Sequence, residues 1–236
     1  MSTAVTARRI AGVSPRSRGR ITGAVYLLFF LTAILGGVFT PATAAAILAH
    51  DASFRLGYAL TLISTASYVA LAALFYQLFR PVSRSIALMA AFFSLTGGAL
   101  TAVQSLFQLA PSVVLGSSLY SSVFNVKQLQ TLAQMLLDLN AQAGYVALVF
   151  FGVFQLLIGY LIFRSTFLPR ILGALIALGG LGWLTFLLPP LANHLLTPLE
   201  ALGILAEAPL MLWLLVMGVN GQRWTEQAHA AGIPGP

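Results

Sequence analysis

Residues 21–40, ITGAVYLLFFLTAILGGVFT, carry no charge, and uncharged stretches of similar length recur along the chain. A helix needs roughly 20 mainly apolar residues to cross about 30 Å of hydrocarbon. On that measure the pattern predicts six spans, at about 21–40, 55–79, 85–109, 141–163, 168–188 and 199–219. The connection 110–140 is the longest, and it opens with Pro111 and a Ser/Gly-rich stretch. Within it Leu129, Leu132, Met135, Leu136 and Leu139 recur at helical spacing. That segment either extends the fourth span or lies as a helix on the membrane interface; the unbroken pattern favours the extension.

The predicted fold class is therefore all-α, a polytopic membrane protein built as one bundle of six transmembrane helices. A basic arm covers residues 1–20, the transmembrane domain 21–219 and a tail 220–236. A signal peptide is the rival reading of the first span, because Ala42-Thr43-Ala44 resembles a small-residue cleavage site. Its apolar region is longer than the roughly 7–15 residues of a signal peptide, which favours a retained span.

The cations set the orientation. Arg8, Arg9, Arg16, Arg18, Arg20, Arg80, Arg84, Arg164, Arg170 and Arg223 all fall on one side if the N-terminus is cytoplasmic, leaving only Arg55 and Lys127 on the other. Basic loops stay inside, so both termini are expected in the cytoplasm.

Composition agrees and excludes much else. Hydrophobic residues make up 59% of the 236 and charged residues 7%, far below the roughly 25% that coats a soluble domain. The net charge of +7 does not indicate nucleic acid. Much of it is the arm beside the first span, where anionic lipid headgroups are the expected partner. With no Cys, a thiolate zinc site, a disulfide and a cysteine nucleophile are all excluded. His50, His194 and His229 lack metal-ligand spacing, and no phosphate loop or nucleophile elbow is present. No catalytic residue, metal or cofactor is assigned.

Small residues spaced by four should mark helix contacts, because close packing holds helices together in lipid. Such stripes are Ala33 and Gly37, Gly97 with Thr101 and Ser105, and Gly173 with Ala177. Gly179-Gly180 reads as packing rather than as a gating hinge. Trp183 and Trp224 are expected at opposite membrane faces, and Trp213 within the bundle.

A few polar residues are expensive where they lie. Glu207 is eight residues into the sixth span, about 12 Å deep, where a carboxylate costs at least about 2.5 kcal/mol. Either it fixes helix packing or it serves a ligand, an ion or a proton. Arg55 either snorkels to headgroups or turns inward toward Asp138, Glu207 or a ligand. Gln104 and Gln108 lie one turn apart on the third span, and Gln155 lies mid-way along the fourth. Arg55, Gln104, Gln108, Asp138 and Glu207 all belong to the outer half, which points to a pocket open to the outside rather than a channel.

Several stretches carry a resemblance. They are Phe54-Arg55 with Gly57, then Leu78-Phe79-Arg80-Pro81-Val82 and Phe150-Phe151-Gly152. Gly159-Tyr160 with Arg164, Phe167-Leu168-Pro169-Arg170, and Glu207 followed by Trp213 and Asn220 complete the set. In this order they resemble the bacterial domain-of-unknown-function family DUF4386, six-span membrane proteins, over roughly residues 20–220. The resemblance implies a fold and a membrane location but no activity. Arg55 and Glu207 match family positions. Asn140 and Gln155 stand near places where members often carry His, which speaks against histidine chemistry.

The functional expectation is a non-enzymatic membrane protein whose outward polar pocket binds a small molecule or lipid. In it Arg55 faces an anionic headgroup, Gln104 and Gln108 orient the ligand, and Glu207 is the interior acceptor. The alternatives are a secondary transporter of a small solute and a non-catalytic membrane scaffold.

Overall fold

A computed structural model describes residues 13–41 and 43–233. Arg8, Arg9 and Ala42 of the cleavage-like motif lie outside these residues. Every regular element described is helical: α1 Pro15–Phe39, α2 Ala44–Ala49, α3 Asp51–Phe79, α4 Arg84–Gly116 and α5 Ser118–Ser121. They continue as α6 Val126–Arg164, α7 Arg170–Leu184 with a 3-10 turn Thr185–Leu187, α8 Pro189–His194, α9 Leu196–Val216 and α10 Gly221–Ala230. Six helices, α1, α3, α4, α6, α7 and α9, are long and apolar enough to cross a membrane.

Local chemistry sets their starts. Ser14 caps α1 by accepting from the Ser17 amide, and Pro15 occupies the first turn, where its missing N–H costs nothing. Ser83 caps α4 in the same way. Asn125 and Gln128 form a reciprocal capping box at the head of α6. From there α6 runs unbroken for 39 residues, so Lys127–Leu139 is an extension of the fourth span. Likewise α4 passes Gln108 and continues through Pro111 to Gly116.

Each membrane helix packs on the next along the chain, and α9 returns to α1, which closes a six-helix ring. Glycines set the closest approaches. A Cβ on Gly173 would sit 2.7 Å from the Gly159 carbonyl oxygen, and one on Gly180 would sit 2.8 Å from that of Gly152. The α6–α7 pair is thus backbone against backbone, as in other small-residue contacts in lipid. Gly180 is a packing residue.

The larger core lies at one end of the ring, and a smaller cluster of Phe186, Ala192 and Leu199 packs at the other. The half that carries Arg80, Arg164 and Arg170 at its rim holds the core, including Tyr68, Phe75, Phe79, Phe154, Phe167, Leu210 and Leu214. There α10 folds back across the helix ends. Trp224, almost fully buried, donates from Nε1 to the Leu78 carbonyl at 2.9 Å, and the Arg18 guanidinium lies 5.6 Å over its ring. Gly218 makes the turn into α10 with φ near 69°, a conformation that side chains disfavour. Arg16 and Arg20 donate to the carbonyls of Met217 and Val216, so two arm arginines cap the C-terminus of α9.

Two tryptophans differ from expectation. Trp224 is a core residue, and Trp213 is 36% exposed on the outside of the bundle. The tail supplies its own helix to close the arginine end, and that docking takes Trp224 out of the interface.

Candidate functional site

At the end opposite the arginines the ring is hollow. A cavity of about 440 Å³ lies among α1, α3, α4 and α6. Its polar lining includes Thr40, Thr61, Thr101, Gln104, Gln108 and Asn140, and its apolar walls include Phe29, Leu148 and Phe151. No lining residue is charged.

The helices aim these groups with little freedom. The Gln108 amide donates to Thr40 Oγ1 at 2.9 Å, and Asn140 donates to the Gln104 carbonyl at 2.9 Å. Thr40, Thr61 and Thr101 each give their hydroxyl proton to the carbonyl one turn back. A threonine bonded this way keeps its oxygen lone pairs for another donor. Gln104 lies close over Gly144, where a Cβ would be 2.7 Å from its Nε2. Its amide can offer a ligand one acceptor and two donors. The lining therefore suits a neutral, hydrogen-bonding molecule in an apolar setting.

Of the five candidate site residues, only Gln104 and Gln108 meet in this cavity. Arg55 pairs instead with Asp51 one turn away at 2.8 Å, with its side chain 78% exposed. That pair flanks another hollow with Tyr58 and Ser112. Asp138 faces outward and accepts from Gln134 at 3.1 Å. Of the two readings of Arg55, the inward one, toward Asp138 or Glu207, is not what the structure has; the side chain stays at the rim. An acid at i−4 offers the guanidinium a partner without leaving the solvated rim, whereas burial would strip its hydration.

Glu207 has its own setting, at the apex of a cleft between α1 and α9. It accepts from the Tyr26 hydroxyl at 2.5 Å and from Gln155 Nε2 at 2.5 Å. Three helices thus converge on one carboxylate. Tyr26 stands among Phe29, Phe30 and Phe75, with ring centroids 5.7–6.1 Å apart, which fixes the hydroxyl from below. Gln155 is 3% exposed, and its Oε1 has no hydrogen-bond partner.

The cleft measures about 560 Å³ and is lined by Phe29, Phe30, Trp183, Glu200, Gly203 and Glu207, among others. Helices α1 and α9 touch closely at the arginine end, where a Cβ on Gly23 would overlap the Leu215 backbone. They part toward the other end, where a Cβ on Gly37 would meet nothing within 4 Å. The Ala33–Gly37 stripe is therefore not a helix contact as expected. With Phe29 it forms a wall shared by cleft and cavity.

Tyr26 and Trp183 were absent from the sequence-derived site. Tyr26 had one available signal, as the only phenol in the first span. Nothing in the sequence ties either residue to Glu207, because those contacts span 24 residues or more and depend on the closure of the ring. Among the described residues, no three His, Asp or Glu side chains gather as a metal site.

No curated protein and no solved structure matches the chain. A family model does match, that described as Domain of unknown function (DUF4386), over residues 21–218, a stretch that takes in all of the ring except the first turns of α1. This six-helix chain, with its hollow end and its carboxylate at the foot of a side cleft, belongs to the DUF4386 family.

Proposed function

We propose that the protein is a non-catalytic binding protein of the bacterial inner membrane and that it takes a neutral polar molecule or lipid into the cavity around Gln104 and Gln108. One observation carries this reading: a hollow of about 440 Å³ lined with uncharged hydrogen-bonding groups, set above a core packed with aromatic side chains. A ligand hydroxyl, amide or ester could bond the half-buried Gln104 amide and the remaining lone pairs of the threonine oxygens. The cavity opens away from the arginine end. With both termini cytoplasmic, as the cation bias supports, it faces outward. The packed core below gives no polar path to the cytoplasm, which weighs against a transporter that works without rearrangement. Arg55 has no part in this cavity, so the ligand needs no anionic headgroup.

Native mass spectrometry of the protein in mild detergent tests the reading. Wild type should carry a defined neutral adduct. Gln104→Leu and Gln108→Leu should fold and lose it, since each removes hydrogen bonds worth about 1 kcal/mol apiece. Folded variants with wild-type adducts, or a bare wild type, would refute the proposal and leave a scaffold.

A further inference from the structure

We infer that the cleft between α1 and α9 is a separate site for a lipophilic cation, an amphiphile whose positively charged head pairs with Glu207 while its apolar body lies between the helices. This goes beyond the cavity proposal and does not depend on it.

Charge comes first. The cleft is lined by two of the five acids of the chain, Glu200 and Glu207, and by no cation. They stand seven residues apart on α9, two turns or about 10 Å along one face. Among the described residues the ion pair is Arg55–Asp51, so Glu207 has no cationic partner there. Its neighbours Tyr26, Gln155 and Trp183 are hydrogen-bond donors. Donors hold the carboxylate in place but bring no positive charge, so an ionised Glu207 keeps a net negative charge that no protein group balances.

The walls come second. Phe29, Phe30 and Trp183 line the cleft beside the acids. Aromatic faces attract cations, most strongly out of water, and an ammonium or phosphonium head gains from both features at once. A metal ion would want several oxygens, and this cleft has too few.

Access comes third. The mouth is formed by residues that face outward from the bundle: Ile34 and Ile204 are 48% and 47% exposed, and Val38 is 73% exposed. In the membrane these positions meet lipid. The ligand therefore enters sideways from the bilayer, which selects for hydrophobic cations over soluble ones. The Gly37 gap keeps the mouth open, and the Gly23 contact closes its foot.

The test uses the full-length protein in non-ionic detergent and a matched pair of probes, tetraphenylphosphonium and tetraphenylborate, alike in shape and opposite in charge. Titration followed by tryptophan fluorescence should show saturable binding of the cation and at least tenfold weaker binding of the anion. Glu207→Gln keeps the shape and removes the charge; its one amide oxygen still accepts from Tyr26, and its NH2 can donate to Gln155 Oε1 once that amide turns over. The folded variant should bind the cation at least tenfold more weakly. Ile204→Lys places an ammonium one turn from both Glu200 and Glu207 at a lipid-facing position. It should abolish cation binding without touching the core, and it decides the matter should Glu207→Gln fail to fold. Gln104→Leu should leave cation binding intact, so failure here and failure of the cavity proposal are separate results. Equal binding of the two probes, or wild-type cation affinity in either folded variant, would overturn the inference.

Discussion

Tyr26→Phe removes a single oxygen and leaves the ring where it is, within about 6 Å of Phe29, Phe30 and Phe75. What disappears is the hydroxyl that fastens α1 to Glu207 on α9 at 2.5 Å. The cost depends on what that hydroxyl donates to. A hydrogen bond between neutral groups inside a membrane averages about 0.6 kcal/mol and rarely exceeds about 1.7. A bond to a charged group contributes roughly 1.5–3 kcal/mol. Tyr26→Phe should therefore cost about 2 kcal/mol if Glu207 is ionised, which is more than tenfold in the unfolding equilibrium.

The background variant separates the two cases. In Glu207→Gln the acceptor remains but the charge is gone, so adding Tyr26→Phe should then cost only about 0.6 kcal/mol. The difference, a coupling of roughly 1.5 kcal/mol, lies inside the range expected for residues in direct contact. Reversible unfolding in mixed micelles, wild type beside the two single variants and the double variant, measures all four corners. Equal costs of Tyr26→Phe in both backgrounds would refute the idea that this hydroxyl steadies a charge, and with it the electrostatic basis of the cleft.

Two further outcomes follow from the same geometry. Gly23→Ala and Gly37→Ala are the same change on the same helix with opposite expected results. The first should destabilise the fold by about 1–3 kcal/mol because the new methyl overlaps the Leu215 backbone, and the second should be neutral or stabilising by up to about 1 kcal/mol. Similar melting shifts for both would mean that α1 and α9 do not diverge as described. The chain has no Cys, so single cysteines report topology without background. An impermeant maleimide should label Ser122→Cys in intact cells and His229→Cys only after lysis, and the reverse order would invert the orientation.

The membrane helices could be read from the sequence because each announces itself locally: an uncharged run, a cap such as Ser83, a proline after the end. Even the unusual length of α6 was visible in the spacing from Leu129 to Leu139. The site was only partly visible. Gln104 and Gln108 are one turn apart on one helix, so a single periodicity places them together. For Arg55 the sequence leaves snorkelling and an inward turn both open, and Asp51 four residues before it is the partner that keeps it at the rim. Tyr26, Gln155 and Glu207 lie on three different helices, and only ring closure unites them.

The Ala33–Gly37 stripe shows where such reading fails in principle. A small residue in a membrane helix is equally consistent with a neighbour pressed close and with a space kept empty, because both demand the absence of a side chain. Gly23 and Gly37 are fourteen residues apart on one helix, nearly the same face after four turns. One meets the backbone of α9, and the other meets nothing. The two meanings are told apart only by the tilt of α1 against α9. That tilt is fixed by long-range contacts: Arg16 and Arg20 on the end of α9, Gly23 on Leu215, and Tyr26 on Glu207. All of them lie at or below the apex of the cleft. The helix pair is held from one end, and the opening that would admit a ligand is a consequence of where those contacts stop.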